Sequence, residues 1–166
     1  MKRLFLCVFS FVFLLYFCAC ADQRKARIRE NLALPLEFNA AFTLGDLTGK
    51  AHFVVKETEL NFGISEGDLN GLVAHITPDD ARFLYCGMDL NFPAAATQSL
   101  CALHEAFLSL QDADLKLESA QFAQTLSGTL SSEHGEISVS FDPQTYKLTK
   151  LTATLCGTEI VLQLQE

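Results

Sequence analysis

The sequence has no tryptophan, only two methionines and only four prolines in 166 residues. Phenylalanine compensates: there are fourteen, and with Leu, Ile and Val spread along the chain they give enough apolar volume for a core. A disordered body is therefore excluded. No C-x-x-C pair exists among the six cysteines, so a thioredoxin-type redox site or a zinc ribbon has no support. G-x-S-x-G is absent, which removes the serine-hydrolase elbow. The four histidines, His52, His75, His104 and His134, never fall into H-E-x-x-H. A glycine-rich phosphate loop, an internal repeat and a low-complexity tract are also missing.

Cations are scarce where they would matter. From Glu37 onward there are 18 acidic and 6 basic residues, a net of −12. A body this acidic is no partner for nucleic acid. Four cations, Arg24, Lys25, Arg27 and Arg29, instead cluster ahead of it. They suit an anionic lipid surface, at about 1 kcal/mol per cation, or form a plain polar linker.

The front of the chain carries the strongest signal. Lys2 and Arg3 precede the apolar run Leu4 to Phe17, and Phe17-Cys18-Ala19-Cys20 closes it. A cationic start, an apolar core of that length and a small residue at the cut define an export signal. The segment resembles a bacterial lipoprotein signal, in which a cysteine after a small residue is lipidated and becomes the new N-terminus. The resemblance implies lipidation at Cys20. Two acyl chains or more give stable attachment, because each buried methylene adds roughly 0.8 kcal/mol. Two other readings stay open. Ala19-Cys20-Ala21 also reads as a small-x-small site that releases a secreted, soluble protein. The run is also nearly long enough to stay as a membrane helix, with the cations beyond it on the cytoplasmic side. The expected organisation is a signal peptide over 1–19, a tether over 20–36 that has room for a helical turn, and one domain over 37–166.

Beyond Pro35 the apolar residues alternate with period two, the mark of half-buried strands. Phe38, Ala40 and Phe42, then Ala51, Phe53 and Val55, then Leu60, Phe62 and Ile64 each share one face, with turns between. Leu72 to Ile76, Arg82 to Cys86 and Met88 to Phe92 continue the series. The period then changes. Leu100, Leu103, Phe107 and Leu110 form one stripe on a helix expected from Ala94 to Gln111, with Ala102, Glu105 and Ser109 on the opposite face. Leu115 and Leu117 suggest a further strand; Phe122 to Leu130 is ambiguous, though Thr125, Leu126, Thr129 and Leu130 favour extended chain. Ile137 to Phe141, Leu148 to Leu155 with an irregularity, and Ile160 to Leu164 read as an antiparallel meander. The expectation is α+β, mostly β: up to ten strands in a strongly curved antiparallel half-barrel, with one amphipathic helix packed on its concave face.

This order is similar to the LolA/LolB-like half-barrel lipoprotein carriers and related small envelope lipoproteins. The similarity rests on the signal, the strands from Phe38 to Phe92, the helix, and the closing hairpin Phe141-Asp142-Pro143-Gln144-Thr145-Tyr146-Lys147-Leu148. It implies an apolar concavity that takes acyl chains, lipid or other lipophilic molecules. It supplies no catalytic or ligand-contacting residue.

The candidate cavity residues are therefore the apolar ones: Phe42, Phe53, Phe62, Phe83, Phe92, Leu103, Phe107 and Phe141. They line a ligand cavity if the space is hollow and fill a core if it is solid. The first case is a membrane-anchored carrier of a lipophilic ligand; the second is a structural lipoprotein that binds an envelope protein. No enzyme, cofactor or metal is expected. Glu133-His134-Gly135-Glu136 and Asp68-Leu69-Asn70-Gly71 offer metal-type donors but read as turns. His104 reads as a satisfied, partly buried histidine. Cys86, Cys101 and Cys156 read as buried reduced thiols or as one disulfide and a spare.

Overall fold

The computed structural model describes residues 23–112, 116–119 and 125–165. The candidate lipidation site, Cys20, and the apolar run before it lie outside the described residues.

Period-two alternation becomes a single antiparallel sheet. Its strands are β1 (Leu36–Leu44), β2 (Leu47–Val55), β3 (Leu60–Gly67), β4 (Val73–Ile76), β5 (Asp80–Tyr85), β6 (Met88–Pro93), β7 (Lys116–Ser119), β8 (Leu126–Ser132), β9 (Gly135–Phe141), β10 (Leu148–Leu155) and β11 (Thr158–Gln165). Eleven strands among the described residues is one more than the alternation suggested; the ambiguous stretch up to Leu130 supplies β8. The spatial order is β6-β5-β4-β3-β2-β1-β11-β10-β9-β8-β7. Two meanders, β1 to β6 and β7 to β11, are thus sewn together where β1 pairs with β11 through partners such as Phe42 and Leu162. The sheet does not close: β6 and β7 are its edges. It is the curved half-barrel expected, with a helix against its concave face.

The buried face is the one read from the sequence. Ala51, Phe53 and Val55 of β2 are buried, whereas His52 faces solvent. Each such Leu, Ile, Val or Phe contributes about 1.5–3 kcal/mol by leaving water. The expected irregularity in β10 is a register shift between Leu148 and Lys150, where Thr149 Oγ1 donates to the Ser140 carbonyl (3.0 Å). At the turn before it, the backbone N–H groups of Thr145 and Gln144 donate to the Asp142 carboxylate and hold its pKa below the usual range.

Two α-helices join the sheet among the described residues. α1 (residues 23–31) is followed by Leu32; Ile28 and Leu32 are buried in the core, and Asn31 Nδ2 donates to the Thr145 carbonyl (2.9 Å). α2 (Gln98–Asp112) follows a 3₁₀ turn, Ala94–Ala96. The helix therefore starts four residues later than the sequence suggested, because Pro93 ends β6 rather than opening α2. The buried arc of α2 is also wider than the expected stripe. Ala102, assigned to the polar face, is buried together with Leu103, Ala106, Phe107 and Leu110. Small Ala102 and Ala106 let the helix lie close to the sheet.

His104 is 2% exposed, and its Nε2–H donates to the carbonyl of Lys56 (2.9 Å) in the β2–β3 turn. Among the described residues, no buried side-chain nitrogen or oxygen lacks a hydrogen-bond partner.

The cysteine reading needs correction. Cys86 and Cys156 are exposed, Cys101 is half-buried, and all three are free. Each exposed cysteine precedes a glycine in a two-residue hairpin turn, with φ +50° at the cysteine and φ +78° or +79° at the glycine. Positive φ at both positions is the turn that Asn-Gly usually builds, so turn geometry, not core packing, places these thiols.

Candidate functional site

The concave space is half solid and half hollow. Phe53 marks the division. On one side it stacks on Phe38 (centroids 5.2 Å apart), which in turn meets Phe107 (5.7 Å). Phe141 is fully buried in the same core. On the other side Phe53 meets Phe62 (5.4 Å), and there the packing opens into a cavity of about 210 Å³.

Five of the eight candidates line this cavity: Phe42, Phe53, Phe62, Phe83 and Leu103. Phe107 and Phe141 do not; they fill the core. Phe92 does not line it either. It is 40% exposed on the edge strand β6, with its ring 5.8 Å from that of Phe83.

Sequence reasoning missed the aliphatic part of the lining. Leu44 and Leu47 flank the β1–β2 turn, Leu69 and Leu72 lie in the β3–β4 connection, Leu100 opens α2, and Ile160 and Leu162 come from β11. A usable signal existed: leucines bracket the turns Gly45-Asp46 and Asn70-Gly71, where polar residues would be ordinary. These turns share one end of the sheet with the β10–β11 turn, since Leu44 pairs with Ile160 and Gly45 N–H donates to the Glu159 carbonyl (3.0 Å). The cavity thus lies between this end of the sheet and the first turns of α2.

Two glycines shape the rim. A Cβ at Gly49 would sit 2.3 Å from the Glu66 carbonyl oxygen and about 3 Å from the Phe42 ring. At Gly67 it would sit 2.3 Å from the Thr48 carbonyl oxygen. Only glycine lets β2 and β3 cross this closely, next to the register shift between Lys50 and Ala51.

Chemically the cavity offers almost nothing but hydrocarbon. Thr43 is the sole polar residue in its lining, and no oxygen or nitrogen is exposed to the interior. Such a space stays dry and accepts an apolar group. Charge lies outside it. Asp46 and Asp68 are exposed on the adjacent turns, and Lys50 is ion-paired with Glu66 (2.7 Å).

The titratable side chains among the described residues lie elsewhere. His134 Nε2 lies 2.8 Å from a Glu105 carboxylate oxygen beside Ser131 and Ser132, but in an open groove between α2 and the β8–β9 turn, with both side chains about half exposed. Glu133 and His134 form that turn, as expected. His52 and His75 lie on the convex face. Each meets an Asn oxygen (Asn39 at 3.0 Å; Asn61) and a carboxylate, Glu37 or Glu59. Among the described residues no three His, Cys, Asp or Glu side chains gather as a metal site. Among them also, no helix is long and apolar enough to cross a membrane.

No protein-family model and no curated protein matches the chain. Solved structures do. An uncharacterized conserved protein from Thermus thermophilus is 13% identical, with 87% of this chain and 84% of that one covered, at a TM-score of 0.47. The Mycobacterium tuberculosis lipoprotein LppX is 14% identical over 87% and 94%, at 0.43. A LolA superfamily protein from Nitrosomonas europaea is 9% identical over 88% and 91%, at 0.43. The last of these carries the name of the group that the sequence pattern resembles. The likeness is one of chain path, and the functional reading rests on the cavity.

Proposed function

We infer that this protein is an extracytoplasmic lipoprotein, anchored through Cys20, that binds or carries a lipophilic ligand in the cavity under the first turns of α2. The observation that carries the reading is the all-hydrocarbon lining of a space of about 210 Å³. A space of about 150 Å³ already admits an aromatic ring. Drug-sized sites run to roughly 300–1,000 Å³. The cavity therefore suits part of an acyl chain, with the head group left outside. The hollow half of the core favours this reading over a solid-cored protein with an envelope partner. The anchor rests on the signal pattern before Cys20.

Native mass spectrometry of the purified, delipidated protein with a one-chain lysophospholipid tests the first part. One bound lipid per chain is expected; a spectrum without adducts overturns the carrier reading. The mass of the N-terminal peptide from membrane-extracted protein tests the second. A diacylglyceryl-modified Cys20 is expected, and an unmodified peptide starting after Ala21 would replace the anchor with secretion.

A further inference from the structure

The cavity accommodates only part of a chain, and the strand beside it is apolar where edge strands are usually charged. β6 is a sheet edge, and all six of its residues are exposed. Its residues alternate cleanly. Asp89 and Asn91 face the convex side, where Arg82 Nε donates to Asp89 (2.8 Å) and Asn91 reaches Asp80 (3.4 Å). Met88, Leu90 and Phe92 lie opposite Tyr85, Phe83 and Ala81, and Ala81 is buried on the concave side. Residues directly opposite on paired strands share a face, so the three large apolar side chains line the concave side. They are 53%, 44% and 40% exposed. Soluble proteins blunt an edge with charge or cover it. On β6 itself the polar groups are outside and the open hydrocarbon is inside; on the neighbouring strands Leu84 and Val73 are exposed on the convex side (43% and 47%).

This ladder is continuous with the cavity. Phe83 lines the cavity, pairs with Leu90 and packs edge-on against Phe92. From Met88 to Phe92 the strand runs about 14 Å, at roughly 3.4 Å per residue, a length comparable to an acyl chain. The turns whose leucines line the cavity carry Asp46 and Asp68, both anionic, and Lys50 is already paired with Glu66. That pattern disfavours an anionic head group.

We propose that the concave face of β6 is a second-chain subsite: the protein takes a two-chain lipid with a neutral or zwitterionic head group, one chain in the cavity and the other along Met88, Leu90 and Phe92. The inference rests on the cavity reading above, but it adds a prediction about chain number that the cavity alone does not make.

The test compares dioctanoyl phosphatidylcholine with the one-chain octanoyl lysolipid, each below its micelle threshold, titrated into the purified full-length protein and its M88T/L90T variant. Threonine keeps the strand preference while removing most of the apolar surface. The wild type should bind the two-chain lipid at least about tenfold more tightly, and the variant should lose about that factor for the two-chain lipid alone. Unchanged lysolipid binding doubles as the check that the variant is folded. Equal affinity of the wild type for both lipids would overturn the subsite and leave the cavity reading standing. A variant that weakens both lipids alike would also overturn it. No binding of either lipid would overturn both readings. A wild-type dimer that the variant abolishes would show that a second copy covers β6, and would overturn the subsite.

Discussion

Leu100→Trp is expected to lower lysolipid affinity about 100-fold while leaving the fold intact. Leu100 is half-buried in the first turn of α2, where it lines the cavity at the margin of the core. An indole there occupies space otherwise open to the ligand. Displacing about four methylenes at roughly 0.8 kcal/mol each removes about 3 kcal/mol of binding. Filling an existing void need not strain the core, so the melting temperature should hold or rise. Leu100→Ala enlarges the same space and should not weaken binding comparably. Fluorescence titration of both variants checks this. An affinity for Leu100→Trp equal to that of the wild type would mean that the chain binds elsewhere.

The largest loss of stability is expected at Gly135. It opens β9 at φ +149°, and a Cβ there would lie 1.8 Å from the carbonyl oxygen of Thr154 and 2.9 Å from its carbon. Both atoms are backbone of the neighbouring strand, β10, with which Gly135 pairs through Leu155. No rotamer relieves the overlap; β9 and β10 must separate or the turn must rebuild. Gly135→Ala should therefore cost about 3 kcal/mol or more, combining backbone strain with broken pairing. Gly63→Ala is the control. Gly63 also lies in a strand, β3, but has ordinary φ and nothing within 4 Å of its missing Cβ, so the change should stay within about 1 kcal/mol. Denaturant unfolding of the pair separates the two cases. Similar midpoints would show that the Thr154 contact is not as close as described.

The sequence disclosed faces better than positions. Alternation in Phe38 to Phe42 and Ala51 to Val55 tells which side chains point inward, and those side chains do. The unpaired Leu148/Lys150 step showed as broken alternation. β8 is obscured because Gly128 stands at an inward, buried position between Leu126 and Leu130 where alternation expects an apolar side chain. What alternation cannot encode is where α2 crosses the sheet. That crossing decides which inward residues are covered. Phe141 is covered and becomes core together with Phe107 of α2 itself, Phe42 and Phe62 line the cavity, and Phe92, on the edge strand β6, is left 40% exposed. Leu44, Leu47, Leu69 and Leu72 were passed over for a related reason: turn-flanking positions contribute to a cavity only once separate hairpins are brought to one end of the sheet.

The central claim, that the space beside Phe53 is hollow and takes hydrocarbon, is tested most directly by paramagnetic relaxation. A lysolipid with a nitroxide near the end of its acyl chain would be bound to methyl-labelled protein. Broadening should be strongest at Leu72, Leu103 and Ile160 and weakest at Val139 and Leu126, on β9 and β8, which lie farther across the sheet from the strands that line the cavity. Uniformly sharp methyls, or broadening confined to surface residues remote from Leu103, would contradict the account.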